Sequence, residues 1–408
     1  MIKLGCIADD FTGATDLGGL LTRAGARVSL YLGVPDDEVE CTTEFAIIAL
    51  KCRTTPVDEA VNEVEQAALW LQRQGAEQLY WKYCSTFDST ATGNIGPVAE
   101  KLLEITQQTQ ALYCPAFPEN GRSIFKGYLF VGDQLLSESP LKDHPLTPMK
   151  DANLVRVLQP QVRDEVGLWQ HSQIHSDHPL PTARHIIADA IEFNDLELII
   201  KRTWGKLLLT GGSALAMPIP QLLAQTGELK QHQHSLPSDL SGDAVILAGS
   251  CSAQTRLQIE QYTQGPAYRI DPLVLRETGI EPIWDWWCAQ DRAKASLIYA
   301  SADPTSVAAV QHALGHQAAG ELVENALAEL ALRMFAFGVS KFVVAGGETS
   351  GAISKGLGVT ELEVGQEIAP GVPWCFARIK DRSVALALKS GNFGGERFFT
   401  DALEKIDG

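Results

Sequence analysis

Two adjacent aspartates, Asp9 and Asp10, end a short apolar run near the start of the chain, in the stretch "CIADDFTGATD". The apolar run predicts a buried strand, and the leucines that follow at helical spacing predict a helix. In an open α/β sheet the loops beyond the carboxyl ends of parallel strands share one crevice, where ligands bind. The two aspartates are therefore candidate binding or catalytic groups.

Basic residues follow other predicted strands in the same way. They are Lys51 and Arg53 after "EFAIIAL", Lys82 at the end of "QLYWK", and Arg122 after "ALYCPAFP". Carboxylates bind hydroxyl groups and can accept a proton from one, whereas Lys and Arg neutralise a carboxylate or a phosphate. A hydroxylated acid would satisfy both kinds of group. Alternatively, Asp10 or Thr12 only caps the helix, and Lys51 and Arg53 are solvated loop charges.

The segment "STFDSTATGNIGP", residues 85–97, combines short polar side chains with two glycines just before a predicted helix. Such a segment offers many hydrogen-bonding groups beside a helix N-terminus, which suits a polyhydroxylated anion. Its candidate contact residues are Asp88, Ser89, Thr90 and Asn94. An ordinary loop rich in Ser, Thr and Asp has the same composition, so this alternative stays open.

Three loops rich in glycine and serine follow predicted strands in the second half of the chain. They are "AGSCSAQT" (248–255), "AGGETSGAIS" (345–354) and "LKSGNFGGE" (388–396). Glycine lets successive backbone N–H groups point into one concavity, as in nucleotide phosphate sites. None matches a standard fingerprint, because Ala352 and Ile353 stand where a P-loop has its Lys and Ser/Thr. The absence of GxGxxG also weakens a dehydrogenase interpretation.

The segment "HSQIHSDH" carries His171, His175 and His178 at spacings that could bind a metal. It contains no cysteine, and its polar sequence predicts a loop without a supporting scaffold. We therefore predict no functional metal site there.

Composition restricts the partners. The 50 acidic and 33 basic residues give a formal net charge of -17, which argues against a nucleic-acid partner because phosphate contacts need clustered cations. The eight cysteines form no CxxC pair and indicate thiols in a reducing compartment. The sequence shows no leader and no apolar run near the ~20 residues that span a bilayer. We expect a cytoplasmic protein without a membrane partner, and a homodimer, although no sequence feature determines the oligomeric state.

Apolar strands alternate with amphipathic helices up to "ALYCPAFP", which predicts a parallel sheet covered on both faces. Residues 164–185 are polar and predict irregular structure. Residues 226–243, "TGELKQHQHSLPSDLSGD", are the most linker-like, and strand-to-turn segments resume beyond them. We therefore predict two α/β domains, residues 1–235 with the parallel sheet and residues 236–408.

The motifs together resemble the four-carbon acid sugar kinases along essentially the whole chain. The matching segments are "ADDFTGA", "KYCSTFDSTATGNIGP", "NGRSIFKGYLFVGD", "HPLTPMKDANL", "GSCS", "AGGETSG", "IAPGVPW" and "LALKSGNFG". The "STFDSTATGNIGP" form resembles the branch of the family that acts on 3-oxo-tetronates. Relatives that act on other sugar acids tend to carry a shorter form, in which an Arg stands where this chain has Thr92.

The resemblance implies an N-terminal sugar-acid domain and a C-terminal ATP-binding domain. The residues that it assigns to the sugar acid are Asp9, Asp10, Lys51, Arg53, Lys82, Asp88 and Arg122. Those that it assigns to ATP are Ser250, Ser252, Gly346, Gly347, Glu348, Thr349, Ser350, Gly351, Ser390, Gly391, Asn392, Phe393 and Gly394. The protein ligands of the metal stay unknown.

The expected reaction is Mg²⁺- and ATP-dependent phosphorylation of the C4 hydroxyl of a 3-oxo-tetronate. Phosphoryl transfer needs positioning, charge neutralisation and a carboxylate that orients or accepts the hydroxyl proton. We predict Asp10 for that role, followed by Asp9 and Asp88. The alternatives are a kinase for a threonate or erythronate, a sugar-acid binding protein without catalysis, and a dehydrogenase or aldolase.

Overall fold

The computed structural model describes residues 1–144, 146–230, 232, 236–301 and 315–407. The chain divides into two compact units, Met1–Gln233 and His234–Gly408. Both units are α/β, as predicted. The predicted domain boundary after residue 235 adjoins residues 233–235, which lie outside the described part, and it stays a prediction.

The N-terminal unit is built on a parallel sheet. Its strands are β1 (Leu4–Ala8), β2 (Val28–Leu32), β3 (Phe45–Ala49), β4 (Gln78–Lys82), β5 (Ala111–Cys114), β6 (Arg122–Phe125), β7 (Tyr128–Val131), β8 (Gln134–Leu135), β9 (Val166–Trp169), β10 (His185–Ala188) and β11 (Leu208–Gly211). Eight of these run parallel in the order β2-β3-β1-β4-β11-β5-β10-β9. Strands β6, β7 and β8 form a separate antiparallel sheet.

Helices cover the large sheet of this unit. They are α1 (Phe11–Arg23), α2 (Val57–Arg73), α3 (Ile95–Thr106), α4 (Leu154–Leu158), α5 (His171–Ile174), α6 (Phe193–Thr203) and α7 (Pro218–Gln225). Every residue of β1, β3 and β4 is buried, because a parallel sheet with helices on both faces leaves neither face to solvent. The register pairs Ala8 with both Ala49 and Lys82. The carboxyl ends of β1, β3 and β4 therefore lie side by side, and so do the first residues of the loops that follow them.

Two predictions for this unit were wrong. "ALYCPAFP" does not close the parallel series, because β9, β10 and β11 join the same sheet. Residues 164–185 are not irregular, since β9 and α5 lie within them. A four-residue strand such as "VGLW" and a four-residue helix are too short to produce a recognisable hydrophobic period.

The C-terminal unit is built on a mixed sheet. Its strands are β12 (Ala244–Ala248), β13 (Ala267–Arg269), β14 (Ser296–Tyr299), β15 (Lys341–Ala345), β16 (Glu361–Ala369), β17 (Val372–Ile379) and β18 (Arg382–Lys389). They run in the order β13-β14-β12-β15-β18-β17-β16, parallel from β13 to β18 and antiparallel from β18 to β16. The strands predicted before two of the glycine-rich loops are β12 and β15, and β18 precedes the third.

Helices and a buried core complete this unit. The helices are α8 (Ala253–Gln261), α9 (Pro272–Thr278), α10 (Glu281–Cys288), α11 (His316–Phe337), α12 (Gly347–Gly356) and α13 (Phe398–Asp407). In the core, Phe398, Phe399 and Ala402 of α13 pack with buried residues of β12, β15, β17 and β18. The Trp374 indole donates a 3.1 Å hydrogen bond to the Ala402 carbonyl. Within the described ranges of the chain, no helix has the length and apolarity to cross a membrane.

Candidate active site

The loops after β1, β3 and β4 bring five charged residues together, which we call the acid cluster: Asp9, Asp10, Arg53, Lys82 and Asp88. Asp9 and Asp10 directly follow β1, Arg53 lies beyond β3, and Lys82 ends β4. Because these strands are parallel and in register, their carboxyl ends share one edge of the sheet. The structure therefore places together residues that lie more than 70 positions apart in the sequence.

Arg53 joins the carboxylates of the acid cluster. Its Nε and Nη2 donate to both oxygens of Asp9, at 2.7 and 2.8 Å, and Nη2 also donates to Asp10 Oδ1 at 2.7 Å. Asp88 Oδ2 lies 3.9 Å from Arg53 Nη1. On the other side, Lys82 Nζ lies 3.7 Å from Asp10 Oδ1. Planar guanidinium geometry matches two carboxylate oxygens at once, so Arg53 holds Asp9 in a fixed orientation.

Asp10 and Asp9 differ in access and in ionisation. The Asp10 side chain is 30% exposed and that of Asp9 only 4%. Burial acts to raise the pKa of Asp10, but Lys82 and Arg53 outweigh burial and hold that pKa below its usual value. Burial raises the pKa of Asp9, with Arg53 opposing. Asp10 is therefore the ionised carboxylate that a substrate can reach.

Asp10 also caps α1, as the alternative interpretation required. Its Oδ1 accepts a 3.0 Å hydrogen bond from the Gly13 backbone N–H, and its backbone is extended as in other helix caps. Capping and catalysis are compatible, because the cap fixes the carboxylate at the positive end of a helix. The cap alone does not explain why two cations approach the same oxygen.

Gly13 is a site residue that the sequence interpretation missed. A Cβ at this position would lie 1.8 Å from Lys82 Nζ and 2.4 Å from Asp10 Oδ1. Only glycine leaves room for the buried Lys82 ammonium against the first turn of α1. The glycine of "FTGA", directly after the aspartates, was the signal that could have indicated this close approach.

Asp88 is held by a strained loop after β4. Phe87 and Asp88 have positive φ angles of 66° and 29°. Residues other than glycine rarely adopt this backbone region. Thr86 Oγ1 donates to Asp88 Oδ1 at 2.6 Å, while the Phe87 ring is buried. These contacts direct the Asp88 carboxylate towards Arg53, and such strain is characteristic of functional loops.

The other polar residues of this loop are engaged with the protein. Ser89 Oγ and the Thr90 carbonyl accept hydrogen bonds from Gln161 Nε2 at 3.0 and 2.8 Å. Asn94 Nδ2 donates to the carbonyls of Cys52, Arg53 and Thr55. Asn94 thus ties the loop after β4 to the loop that carries Arg53, which indicates a positioning role. Gln161 was missed, because nothing near it in sequence connects it with these loops.

The remaining predicted cations are Lys51 and Arg122. Lys51 is exposed beyond β3. Arg122 begins β6 and donates to the Asn120 carbonyl. Its Nε is buried and has no hydrogen-bond partner in the described part of the chain.

In the C-terminal unit, three segments converge, which we call the glycine loops: residues 249–252, 346–351 and 390–394. Ser252 Oγ caps α8 and donates to the Gly391 carbonyl at 2.6 Å, joining the first segment to the third. The Gly346 N–H donates to the Lys389 carbonyl at 2.9 Å, and the Ser250 N–H donates to the Ala345 carbonyl at 3.1 Å. The glycine loops therefore form one hydrogen-bonded unit at the carboxyl ends of β12, β15 and β18.

Gly391 sits where the loops touch. A Cβ there would lie 2.4 Å from Ser250 Oγ and 3.0 Å from Ser252 Oγ. At Gly347 and Gly351 a Cβ would meet no heavy atom of the described residues within 4 Å, so these residues leave the Cβ position of both glycines uncrowded. Thr349 and Ser350 are buried behind them, Glu348 and Asn392 are exposed, and Ser390, Phe393 and Gly394 are partly buried.

Lys389 is a third residue that the sequence interpretation missed. It ends β18 with 1% exposure, and its Nζ donates to Thr255 Oγ1, the Ser390 carbonyl and the Gly391 carbonyl, each at 3.1 Å. No carboxylate of the described residues pairs with it, and burial lowers its pKa to about 7. A lysine at the end of the apolar run "SVALALK" was the available signal, since lysine is rarely buried unpaired.

The glycine loops and Lys389 together suit the phosphates of a nucleoside triphosphate. The loops precede the N-termini of α8 and α12, where backbone N–H groups and the helix dipole favour anions. The Ser350 hydroxyl is buried without a hydrogen-bond partner among the described residues, and the unpaired Lys389 lacks an anion. Mg²⁺ usually keeps waters and uses one or two carboxylates together with the substrate phosphates, so a dedicated cage of protein ligands is not required.

Two family models match the chain, one in each half. Residues 4–219 match the family model of a sugar-binding N-terminal domain, and residues 245–399 match that of a nucleotide-binding C-terminal domain. A 3-oxo-tetronate kinase of Burkholderia multivorans is 47% identical, over 99% of this chain and 97% of its own length. The chain belongs to the four-carbon acid sugar kinase family. The predicted resemblance is thereby confirmed, and the protein is a kinase.

Other relatives extend the match. A 3-oxo-tetronate kinase of Pseudomonas fluorescens is 48% identical over 99% of this chain and 97% of its own. The crystal structure of Haemophilus influenzae protein HI1011 is 38% identical, covers 98% of this chain and 99% of that chain, and superposes with a TM-score of 0.85. The family likeness therefore extends over both units.

Proposed function

We propose that the protein transfers the γ-phosphate of ATP to the C4 hydroxyl of a 3-oxo-tetronate, giving the 4-phosphate and ADP. The observation that carries this proposal is Asp10, an accessible carboxylate kept ionised by Arg53 and Lys82 at the N-terminus of α1. Relatives named 3-oxo-tetronate kinase, nearly half identical over the full chain, support the substrate.

In this proposal Asp10 orients the attacking hydroxyl and accepts its proton. Its Oδ1 is already contacted by Arg53, Lys82 and the Gly13 N–H, so we assign the hydroxyl to Oδ2. Asp9, clasped by Arg53 through both oxygens, positions the guanidinium. Asp88 is the remaining carboxylate of the cluster and is assigned to a further substrate hydroxyl.

The substrate carboxylate requires cations at the same edge of the sheet. We assign it to Lys82 and Arg122, assisted by Lys51 and by the polar groups of Ser89 and Thr90. The Nε of Arg122 is buried without a hydrogen-bond partner among the residues that the structure describes, which supports this assignment. A charge-assisted hydrogen bond of this type contributes about 1.5–3 kcal/mol.

The glycine loops would hold the ATP phosphates through backbone N–H groups, with Ser250 and Ser252 in the first loop and Lys389 behind the third. Mg²⁺, when bound with ATP, would neutralise the charge of the phosphates during transfer. We further propose a cytoplasmic location, which suits eight free cysteines, and a homodimer. Sedimentation equilibrium of the purified chain tests the dimer.

Steady-state release of ADP, measured with Mg²⁺, ATP and a panel of four-carbon acids, tests the function. We expect kcat/KM to be highest with a 3-oxo-tetronate. A clear preference for threonate or erythronate would keep the kinase and overturn the substrate. No ADP release with any acid, while the acid still binds in calorimetry, would favour a binding protein without catalysis.

A further inference from the structure

Two histidines and an aspartate, far from the acid cluster, form what we call the histidine–aspartate cluster: His171, His175 and Asp195. The histidines lie one turn apart at α5, and Asp195 lies in the first turn of α6. Both imidazoles direct Nε2 at Asp195 Oδ1, from 3.3 Å for His171 and 2.5 Å for His175. The three ligand atoms all lie within 4.8 Å of one another.

The surrounding contacts hold Asp195 in place. Its side chain is fully buried, and Oδ2 accepts the backbone N–H groups of Ile191 and Glu192 at 2.7 and 3.0 Å. Oδ1 therefore points at the histidines, which are about one-third exposed. The backbone N–H of His171 donates a 3.0 Å hydrogen bond to Asp189 Oδ2, which fixes the start of α5. The prediction of a loop without a supporting scaffold was wrong, because α5 and the first turn of α6, some twenty residues further along the chain, supply one.

We propose that this cluster binds a first-row transition-metal dication, with Zn²⁺ as the best match. Zn²⁺ bonds of about 2.0–2.2 Å to nitrogen and oxygen place neighbouring tetrahedral ligands roughly 3.3 Å apart. His171 Nε2 and Asp195 Oδ1 have this separation. The partly exposed His175 must move away by less than about 1 Å, and water completes the coordination.

The donor set separates this site from the metal of the kinase reaction. Imidazole nitrogen suits Zn²⁺, Cu²⁺, Ni²⁺ and Fe²⁺, whereas Mg²⁺ requires oxygen ligands. The site also lies elsewhere on the sheet, because β9 and β10 are four to five strand positions from β1. At ~4.8 Å per position, this is roughly 20 Å or more from Asp10. A bound metal would fasten the segment after the edge strand β9 to the start of α6.

The test titrates Zn²⁺ into chelator-treated full-length protein by calorimetry and follows Co²⁺ binding by visible absorption. We expect one site per chain, a tetrahedral Co²⁺ spectrum without thiolate charge transfer, and a melting temperature that rises with Zn²⁺. His171→Ala combined with His175→Ala should weaken binding more than ~100-fold, beyond the 10–100-fold typical of losing an outer contact. His178→Ala, in the same segment but outside the cluster, is the matched control and should bind as the wild type does.

The double variant changes only partly exposed side chains, so we expect it to fold and to retain ADP release with Mg²⁺. Wild-type affinity for Zn²⁺ equal to that of the double variant would overturn the proposal. Equal loss in His178→Ala, or a thiolate band in the Co²⁺ spectrum, would place the metal elsewhere and overturn it as well. Asp195→Asn, if folded, should also lose the site.

Discussion

The acid cluster and the glycine loops both follow parallel strands, yet they treat charge in opposite ways. In the acid cluster, Asp9 and Asp10 are paired with Arg53 and Lys82. In the glycine loops, Lys389 is buried among neutral acceptors without a carboxylate from the described residues. A site that handles hydroxyl groups can pair its carboxylates with its own cations. A site for a polyanion leaves cation and backbone N–H groups for the ligand to balance.

The largest expected effect is on catalysis. Asp10→Asn keeps the shape and the helix cap but removes the charge and the base, so kcat should fall roughly 10²–10⁴-fold. Asn caps a helix about as well as Asp, but the buried Lys82 loses its carboxylate partner, so the melting temperature should fall while the variant still folds. Steady-state kinetics and thermal unfolding measure the two effects. Asp37→Asn, a surface carboxylate, is the control, and near-normal kcat in Asp10→Asn would move the base to Asp9 or Asp88.

Removing the central cation should also lower stability. Arg53→Met leaves the buried Asp9 without its partner, so the free energy of unfolding should fall by about 3 kcal/mol. Arg73→Met breaks an exposed ion pair with Asp37 and should cost less than about 1 kcal/mol. Urea denaturation of both variants makes the comparison. Equal losses would show that the pairing in the acid cluster does not stabilise the fold.

Crowding the glycine loops should weaken nucleotide binding selectively. The Cβ of Gly391→Ala would meet Ser250 Oγ at 2.4 Å, and overpacking of this kind costs about 1–3 kcal/mol. We expect the KM for ATP to rise on the order of tenfold, with little change in the KM for the sugar acid. At Gly395 a Cβ meets no heavy atom of the described part of the chain within 4 Å, so Gly395→Ala is the matched control. A larger effect on the acid than on ATP would contradict the assignment.

The last effect concerns the pH dependence of stability. Lys389 has a pKa of about 7 in the folded protein and the ordinary value of about 10.5 when unfolded. Between these values the unfolded chain binds more protons, so stability should rise as pH increases from 7 towards 10. Lys389→Met should flatten that rise, whereas Lys355→Met, an exposed lysine, should not. Urea denaturation at pH 7 and pH 9 measures the change in the free energy of unfolding for each variant. The same change in both variants would refute the prediction for Lys389.

The sequence predicts the fold class well because strand and helix periods are strong in long elements such as α2 and in buried strands such as β3. It does not predict β9 and α5, because these four-residue elements lie in a polar segment and carry no measurable period. It also does not predict the three antiparallel strands at the end of the mixed sheet. Strand pairing depends on contacts between distant segments, which a local pattern does not record.

For the candidate site, the rule that ligands bind beyond parallel strand ends locates Asp9, Asp10, Arg53 and Lys82 without any structure. The rule does not specify contacts. The clasp of Asp9 by Arg53 and the space that Gly13 leaves for Lys82 depend on the register of β1 with β3 and β4. The rule does not identify Lys389, because the burial of this side chain results from the packing of three loops around it.

The most direct test of the central claim is the position of the phosphate in the product. Proton-coupled ³¹P NMR after incubation with ATP, Mg²⁺ and a 3-oxo-tetronate should show a phosphate ester coupled to the two methylene protons at C4, and it should be absent with Asp10→Asn on the same timescale. A phosphate coupled to the single proton at C2, or ATP consumed without a sugar phosphate, would contradict the account.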